Sequence, residues 1–246
     1  MEYGIIRWGV ISCKAEPSHK AEQINQILFG ETYIVEEESS EWLKIKTTFD
    51  SYVAWIDKKN HTPLTMDEFQ NFSYEKASLT VDLINSVQNK KQNSSINVPI
   101  GSSLFTEDSS FQYAGKLSTK NYSSLIDFAM KFLNTPYLWG GRTPLGIDCS
   151  GFVQMIHKLC GIKLPRDSYQ QAEVGVEIDD ISNAQMGDLC FFGKDKIDHV
   201  GMLLSKNQII HASGFVKIES IDKTGIIGNE SKKYTHYLTK IKRLVM

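Results

Sequence analysis

The chain has 246 residues, of which 41% are hydrophobic and 23% are charged, a composition that excludes wholesale disorder. Its formal net charge of −2 gives no electrostatic reason to expect nucleic acid or an anionic membrane as a partner. No apolar run reaches the roughly 18 residues that predict a transmembrane helix, and the length allows one large domain or several small ones.

Residues 1–60 predict a small β-barrel. Short segments rich in aromatic and β-branched residues recur about every ten residues, a spacing typical of small all-β domains. The predicted strands are 5–6, 9–13, 27–29, 30–36, 42–46 and 52–56.

Residues 61–117 predict a second, less regular β module. The block 61–92 mixes short helical and strand patterns, and 93–95 predicts a surface loop. A β pattern resumes at Val98 and continues to Leu117. This block is expected to brace the rest of the chain rather than to contact a ligand.

Residues 118–246 predict an α+β domain. The segment 123–133 starts with serine and carries apolar residues at helical spacing. A second helix is predicted to begin near Cys149 and to end at Gly161. Strands are predicted over 188–192, 199–204 and 208–212, and helices followed by antiparallel strands make an α+β fold.

Cys149 lies where a glycine-rich loop meets the predicted helix, between Asp148 and Ser150. Buried structural cysteines usually lie among apolar neighbours rather than at a polar boundary. In the first turn of a helix, unsatisfied backbone N–H groups and the helix dipole favour a thiolate and can hold an oxyanion. We therefore predict that Cys149 is an ionised nucleophile, which requires a histidine as base and acid.

Two histidines, His199 and His211, lie in strands of the same predicted hairpin. A three-residue loop over 205–207 places both on one face of the sheet. We predict a Cys149–His199–His211 line, in which His199 is the base and acid and His211 orients its ring. The histidines predicted to play no part are His19, His61 and His236 at the surface, and His157 two turns along the nucleophile helix.

Other interpretations of these residues are open at this point. A lone cysteine at a helix start is more often structural than catalytic. A Cys–His–His set also matches zinc ligands, although catalytic zinc sites usually show tighter local spacing. The chain has no CxxC pair, so its cysteines predict reduced thiols rather than disulfides; those interpreted as buried apolar residues are Cys13, Cys160 and Cys190.

The segment from Trp139-Gly140-Gly141 to Asp148-Cys149-Ser150-Gly151 resembles the nucleophile motif of the NlpC/P60 cysteine peptidases. Its later motifs follow in order at 164–168, 187–189, 198–202 and 210–212, and the resemblance extends from about residue 122 to residue 245. The resemblance implies a papain-like α+β core that acts on bacterial cell-wall peptides. It also implies that Cys149 is the nucleophile, His199 the base and His211 the orienting residue.

The segments 13–18, 28–31 and 51–56 are similar to bacterial SH3 domains. The joined architecture resembles the γ-D-glutamyl-L-diamino acid endopeptidases, also called dipeptidyl-peptidase VI, whose SH3 domain closes one end of the groove. Their substrates therefore need a free N-terminal L-Ala. The substrate-binding residues implied by this resemblance are Glu16, Tyr52, Trp139, Asp148, Ser150, Asp167 and Ser168.

These residues divide by the chemistry that the resemblance implies. Glu16, Tyr52 and Asp167 would bind the substrate ammonium, and carboxylates suit that charge. Trp139 and Ser168 would line the pocket for the alanine methyl group. Each also has a structural interpretation: Glu16 as a solvated turn, Tyr52 and Trp139 as core, and Asp167 as a helix cap.

The resemblance predicts a cysteine peptidase that cleaves the γ-D-Glu–diamino acid bond of murein-derived peptides and releases L-Ala-D-Glu. We expect a cytoplasmic recycling enzyme, because the N-terminal residues lack the features of a secretory signal. We expect a monomer with no cofactor and no metal, and no nucleic-acid or membrane partner. The alternatives are a non-catalytic cell-wall peptide-binding module and an acyl transferase; diaminopimelate and lysine both stay open at the third position.

Overall fold

The computed structural model describes residues 2–244, which form two compact units. The first extends to residue 120 and includes 139–144; the second contains 121–138 and continues from residue 145. The ends of the predicted domains at residues 1, 245 and 246 lie outside the described residues. Among residues 2–244, no helix combines the length and the apolar character needed to cross a membrane.

A seven-stranded antiparallel sheet forms the main part of the first unit, in the order β3-β2-β6-β5-β4-β1-β7. A strand lies at or next to each position predicted over residues 1–60, although the first strand begins three residues and the third four residues earlier than expected. The strands are β1 (Glu2–Ile5), β2 (Val10–Lys14), β3 (Gln23–Leu28), β4 (Thr32–Ser39), β5 (Trp42–Thr47), β6 (Val53–Asp57) and β7 (Thr62–Leu64).

The core of this sheet is apolar. Alternate residues of β2, β5 and β6 are buried, because successive strand side chains point to opposite faces. The residues that fill the core are Ile6, Ile11, Cys13, Ile27, Tyr33, Leu43, Ile45, Ala54 and Ile56. Burial of each large aliphatic side chain contributes about 1.5–3 kcal/mol, so this cluster is the main source of stability for the sheet.

The remainder of the first unit adds a short helix and two small sheets. Its elements are α1 (Met66–Asn71), β8 (Ser78–Leu79), β9 (Ile84–Asn89), β10 (Ser94–Pro99), β11 (Ser103–Leu104) and β12 (Phe111–Tyr113). The predicted loop at 93–95 is shorter, because Ser94 already begins β10. Phe29 packs with Val87 and Val98 in one buried cluster, and the predicted boundary at residue 60 stays a prediction.

Residues 139–144, which contain the Trp-Gly-Gly motif, belong to the first unit. Gly140 has φ 73°, and a Cβ there would lie 2.8 Å from the carbonyl oxygen of Gln23, so the position requires glycine. Strand β13 (Arg142–Thr143) follows. The Arg142 guanidinium is buried and donates to both carboxylate oxygens of Glu31, at 2.9 and 3.0 Å. This bidentate ion pair fixes the motif in place.

The second unit combines helices with a closed antiparallel sheet, which confirms the α+β prediction. The strand order is β15-β21-β16-β17-β18-β19-β20, and β20 also pairs with β21. The elements are α2 (Leu125–Lys131), β14 (Gly146–Ile147), α3 (Cys149–Leu159), α4 (Ser168–Gln171), β15 (Val176–Glu177), β16 (Leu189–Phe192), β17 (His199–Ser205), β18 (Gln208–Ser213), β19 (Phe215–Ile221), β20 (Gly225–Ile227) and β21 (Tyr234–Arg243).

Helix α3 is the buried helix that was predicted to carry the nucleophile. Asp148 caps it by accepting a hydrogen bond from the backbone N–H of Gly151 at 2.6 Å. Gly161 follows its last turn with φ 86°, a backbone conformation that favours glycine at a helix end. All of α3 is buried, and it packs against α2, β17 and β18. The helix therefore brings its first residue to the strands that carry the two predicted histidines.

Candidate active site

Cys149 is the first residue of α3, and its side chain is buried with 5% exposed. Its Sγ lies 4.0 Å from the carbonyl oxygen of Asp198, and it accepts hydrogen bonds from the backbone N–H groups of Val200 and Ser150. Asp198 and Val200 flank His199 in sequence. The sulfur therefore lies between the first turn of α3 and the start of β17, beside the backbone of His199.

A buried ionic network fixes the start of α3. The Arg166 guanidinium is 1% exposed and donates to both carboxylate oxygens of Asp148. It also donates to the Ser150 hydroxyl at 2.9 Å, and that hydroxyl lies 3.3 Å from Asp148 Oδ1. Arg166, Asp148 and Ser150 therefore hold the nucleophile's neighbours in one arrangement.

The hairpin of β17 and β18 places His199 and His211 on the same face, as predicted. Gly201 pairs with His211, and the ring atoms His199 Nε2 and His211 Nδ1 are 2.8 Å apart. The loop has two residues, 206–207, rather than three, and a bulge at Leu204 restores the expected register. Gly201 leaves room for the ring, because a Cβ there would lie 2.9 Å from the His211 Cβ.

Glu219 on β19 extends this line beyond the predicted residues. Its Oε2 is 3.0 Å from His211 Nε2, and the side chain is buried. Glu219 pairs with Ile209 and His211 pairs with Lys217, so these side chains share one face of the sheet. The hydrogen-bonded line in the structure is therefore His199–His211–Glu219.

His236 on β21 is half-buried and stacked on His199, so it lies in the histidine cluster and not apart from the site as predicted. The ring centroids of His199 and His236 are 4.1 Å apart, with an angle of 25° between their planes. Ring nitrogens of His199, His211 and His236 lie within 4.8 Å of one another, a spacing compatible with zinc ligands. However, His211 uses both ring nitrogens in hydrogen bonds, and stacked rings do not direct their lone pairs at one point. We therefore assign these imidazoles to a hydrogen-bonded and stacked cluster.

The protonation states favour neutral groups at the centre of this site. Burial, reinforced by His211 and His236, holds the pKa of His199 well below its usual value. Burial and the Asp148 carboxylate raise the pKa of Cys149 to about 12, although hydrogen bonds and Arg166 oppose the shift. Both shifts favour the uncharged forms, a thiol at Cys149 and a neutral ring at His199, and so run against the predicted resting thiolate, because burial penalises the charged form of each group.

Tyr137 is a further protic group near the sulfur. Burial and the charges of Cys149 and Asp148 raise the pKa of its phenol, which stays protonated at neutral pH. The backbone N–H of Tyr137 donates to the Gly214 carbonyl at 2.9 Å, which fixes this segment beside β18 and β19. Tyr137 is thus a protonated phenol whose pKa responds to groups at the start of α3.

Family models match this chain in two places. Residues 134–236 match the NlpC/P60 family, and residues 15–60 match the bacterial dipeptidyl-peptidase SH3 domain. The first match contains Cys149, His199 and His211.

The chain carries an NlpC/P60 domain that follows a bacterial SH3 domain.

Curated relatives and solved structures agree with this assignment. The chain is 40% identical over 100 residues to a gamma-D-glutamyl-L-lysine dipeptidyl-peptidase of Bacillus cereus, a match that covers 39% of this chain and 30% of that protein. It is 28% identical over 244 residues to dipeptidyl-peptidase 6 of Lysinibacillus sphaericus, covering 85% of this chain and 88% of the relative. A crystal structure of an NlpC/P60 family protein from Bacillus cereus shares the fold, with TM-score 0.79, 20% identity, and coverage of 98% and 99%.

Three predicted substrate residues lie in the unit that contains the SH3 domain. Glu16 follows β2, Tyr52 precedes β6, and the Trp139 carbonyl accepts from Gln23 at the start of β3. Lys14 pairs with Gln23 at the start of β3 and with Trp55 in the middle of β6. Because both pairings are antiparallel, the chain beyond Lys14 continues towards the start of β6, which Tyr52 precedes. Glu16 and Trp139 are exposed, which excludes the core interpretation of Trp139, whereas Tyr52 also packs on the apolar core.

Four predicted substrate residues lie in the NlpC/P60 unit. Asp148 and Ser150 flank the nucleophile, and their side chains take part in the Arg166 network. Asp167 precedes α4 and its backbone N–H donates to Gln170, so the predicted capping position is confirmed. Ser168 is buried at the first position of α4. The binding roles of all seven residues stay predictions.

Sequence reasoning missed Arg166, Glu219, His236 and Tyr137. Arg166 lies inside the recognised motif at 164–168, and Tyr137 lies two residues before the motif that begins at Trp139, so their positions in the sequence were available as a signal. Glu219 is eight residues after His211, and Gly214 between them marks a tight turn that returns β19 along β18. His236 lies on a strand far along the chain, and only the closure of the sheet brings it to His199.

Proposed function

We propose that this protein is a cysteine peptidase that hydrolyses the γ-D-Glu–diamino acid bond of murein peptides with a free N-terminal L-Ala, releasing L-Ala-D-Glu. The observation that carries the proposal is the position of Cys149 Sγ at the start of α3, beside the strand residue His199. That imidazole is held in turn by His211 at 2.8 Å. A nucleophile, a base and an orienting group in this order define the chemistry of a catalytic triad.

Acylation begins from the neutral pair. Cys149 transfers its proton to His199 as Sγ attacks the γ-carbonyl carbon, which forms a C–S bond and places negative charge on the carbonyl oxygen. Backbone N–H groups in the first turn of α3 donate to this oxyanion. The imidazolium of His199 then protonates the leaving amine as the C–N bond breaks, and a thioester remains on Cys149.

Deacylation uses the same groups in the reverse roles. His199 removes a proton from water, the hydroxide attacks the thioester carbonyl, and the proton returns to the Cys149 sulfur as the C–S bond breaks. The products are L-Ala-D-Glu and the peptide that begins with the diamino acid. The chain supplies every proton carrier that these steps require.

Recognition of the free amino terminus is the finer part of the proposal. The ammonium of L-Ala would bind to carboxylates of Glu16 and Asp167 and to the Tyr52 hydroxyl, because a cation requires oxygen acceptors. Exposed Trp139 offers an apolar wall for the alanine methyl group, and Ser168 is the other residue to which the resemblance assigns this role. Support comes from the positions of Glu16 after β2, Tyr52 before β6 and Trp139 beside Gln23, and from the names of the relatives.

The decisive experiment gives the purified protein L-Ala-γ-D-Glu-diaminopimelate, the lysine analogue, and the N-acetylated form of each. Release of L-Ala-D-Glu is measured by mass spectrometry. We expect cleavage of the free-amine peptides and none of the acetylated ones. Equal cleavage of both forms would show that the protein does not recognise the free amine. Binding without cleavage would support a cell-wall peptide-binding module instead.

A matched pair of cysteine variants controls this experiment. Cys149→Ala should abolish release, whereas Cys160→Ala, which removes another buried free thiol of the same unit, should retain it. The recycling role and the cytoplasmic location are further proposals, consistent with four free cysteines in the structure. Digestion of intact murein sacculi tests them, because a recycling enzyme should act on released peptides only.

A further inference from the structure

We propose that Glu219 is a positioning residue that sets the tautomers of both His211 and His199, so that Nδ1 of His199 is free to accept the thiol proton. This inference rests on the proposed peptidase function. Glu219 contacts His211, the last of the three predicted residues Cys149, His199 and His211. It belongs to none of the motifs recognised in the sequence.

Glu219 is held as a carboxylate with a fixed orientation. Its Oε1 accepts from the backbone N–H of Asn229 at 2.9 Å and lies 3.5 Å from Lys217 Nζ. Its Oε2 faces His211 Nε2 at 3.0 Å. Hydrogen bonds from His211 and Asn229 hold the pKa of Glu219 at about 2, against the effect of burial. An ionised carboxylate can only accept hydrogen bonds.

The carboxylate therefore determines where His211 carries its proton. Because Glu219 cannot donate, the 3.0 Å contact requires a proton on His211 Nε2. A neutral imidazole has one N–H, and burial keeps the pKa of His211 below its usual value. His211 Nδ1 is thus an acceptor.

The tautomer of His211 in turn determines the tautomer of His199. His211 Nδ1 accepts, so the proton in the 2.8 Å contact between the rings belongs to His199 Nε2. His199 is neutral as well, which leaves its Nδ1 with a lone pair. That nitrogen is the one able to act as base towards Cys149. A carboxylate two imidazoles away thereby fixes the basic atom of the site.

Burial makes this control strong. His211 is fully buried, and His199 and Glu219 are nearly so. In any other tautomer, two N–H donors or two lone pairs would face each other across one of these contacts, with no water between them. Each unsatisfied group would cost about 1–3 kcal/mol. The alternative tautomers are therefore sparsely populated while Glu219 is charged.

Glu219→Gln reverses the tautomers with almost no change in shape. The amide oxygen is expected to take the position of Oε1, which faces Asn229 and Lys217, and the NH₂ group then faces His211 Nε2. His211 must accept there and donate through Nδ1 to His199 Nε2. His199 then carries its proton on Nδ1, where it cannot accept from the thiol. We expect kcat/KM to fall about 10²-fold or more, mainly through kcat.

The readout that separates positioning from a structural role is ¹⁵N NMR of the histidine rings. In the unaltered protein we expect Nε2–H on both His199 and His211, and Nδ1–H on both in Glu219→Gln. Glu219→Asp keeps a carboxylate and should keep the original tautomers. Glu177→Gln is the matched control, because it removes the same charge from an exposed glutamate that pairs with Lys242 in the same unit.

Each outcome either supports or overturns the proposal. Nε2–H on His211 that persists in Glu219→Gln would overturn it, as would full activity in that variant. Reversed tautomers with lost activity, while Glu177→Gln resembles the unaltered protein, would support it. The spectra are recorded without substrate, so they report the tautomers even if the protein cleaves no murein peptide. A failure of the proposed function is thereby distinguished from a failure of this inference.

Discussion

Each unit contains a seven-stranded antiparallel sheet, but the two sheets have different interiors. The sheet of the first unit surrounds a continuous apolar cluster. The sheet of the second unit also has an apolar cluster, which includes Phe192, Leu203 and Ile209. On the same face of that sheet lie the imidazoles of His199 and His211. One interior serves stability alone, and the other combines stability with chemistry.

The difference has an energetic consequence. A buried polar group costs stability unless it is hydrogen-bonded, and the second sheet meets this cost with an ordered chain of donors and acceptors. Ile45 and Ile56 in the first sheet have no polar group to satisfy, so their contribution to stability comes from packing alone. Substitution of a buried residue should therefore affect mainly stability in the first sheet and mainly activity at the histidines of the second sheet.

The largest expected effect is the loss of hydrolysis in His199→Ala. Without the base, the Cys149 thiol with its raised pKa has no proton acceptor, and kcat/KM for the murein peptide should fall at least about 10³-fold. The free energy of unfolding, measured in urea, should fall by less than in a core variant of the first sheet. A variant that retains most of its activity would contradict the assignment of the base.

A smaller effect, on stability, is expected for Ile45→Ala. Ile45 is fully buried in the first sheet, and truncation leaves a cavity that costs about 2–5 kcal/mol. Urea unfolding followed by tryptophan fluorescence measures the change. Val53→Ala is the matched control, because Val53 lies on β6 with 41% exposed and should change stability little. Equal losses in both variants would mean that the apolar cluster is not the stabilising core.

The strands of the first sheet and the nucleophile helix followed from local pattern, since alternation and capping residues are encoded within a few positions. The hairpin that joins His199 and His211 was predictable for the same reason, even though its loop and bulge differ from the expectation. His236 could not be found this way, because its contact with His199 depends on closure of the sheet. The Arg166 network likewise joins residues about 17 positions apart.

The protonation of Cys149 is where the structure adds an effect that the local sequence argument left out. A helix start favours a thiolate, but that argument omits desolvation, which the sequence does not show. In the structure burial is the largest effect on this thiol and raises the pKa of Cys149 to about 12. The consequence is measurable without any substrate.

The smallest expected effect is therefore a change in the pH dependence of alkylation at Cys149. Because the thiol pKa lies well above neutral, the thiolate fraction and the rate of iodoacetamide labelling should rise about tenfold per pH unit between about pH 6 and pH 9. The Asp148 carboxylate raises this pKa, so Asp148→Asn should lower it and speed labelling at each pH. Labelling of the Cys149 peptide is followed by mass spectrometry, with Cys149→Ala as background.

The shape of that profile distinguishes two resting states. A neutral thiol–imidazole pair gives a steady rise, whereas a thiolate–imidazolium pair gives a plateau that already begins at mildly acidic pH. A plateau would show that the dipole of α3 and the hydrogen bonds from Val200 and Ser150 outweigh burial. It would also mean that Cys149 and His199 form a charged pair before substrate binds. The interiors of the two sheets would then differ in charge as well as in polarity.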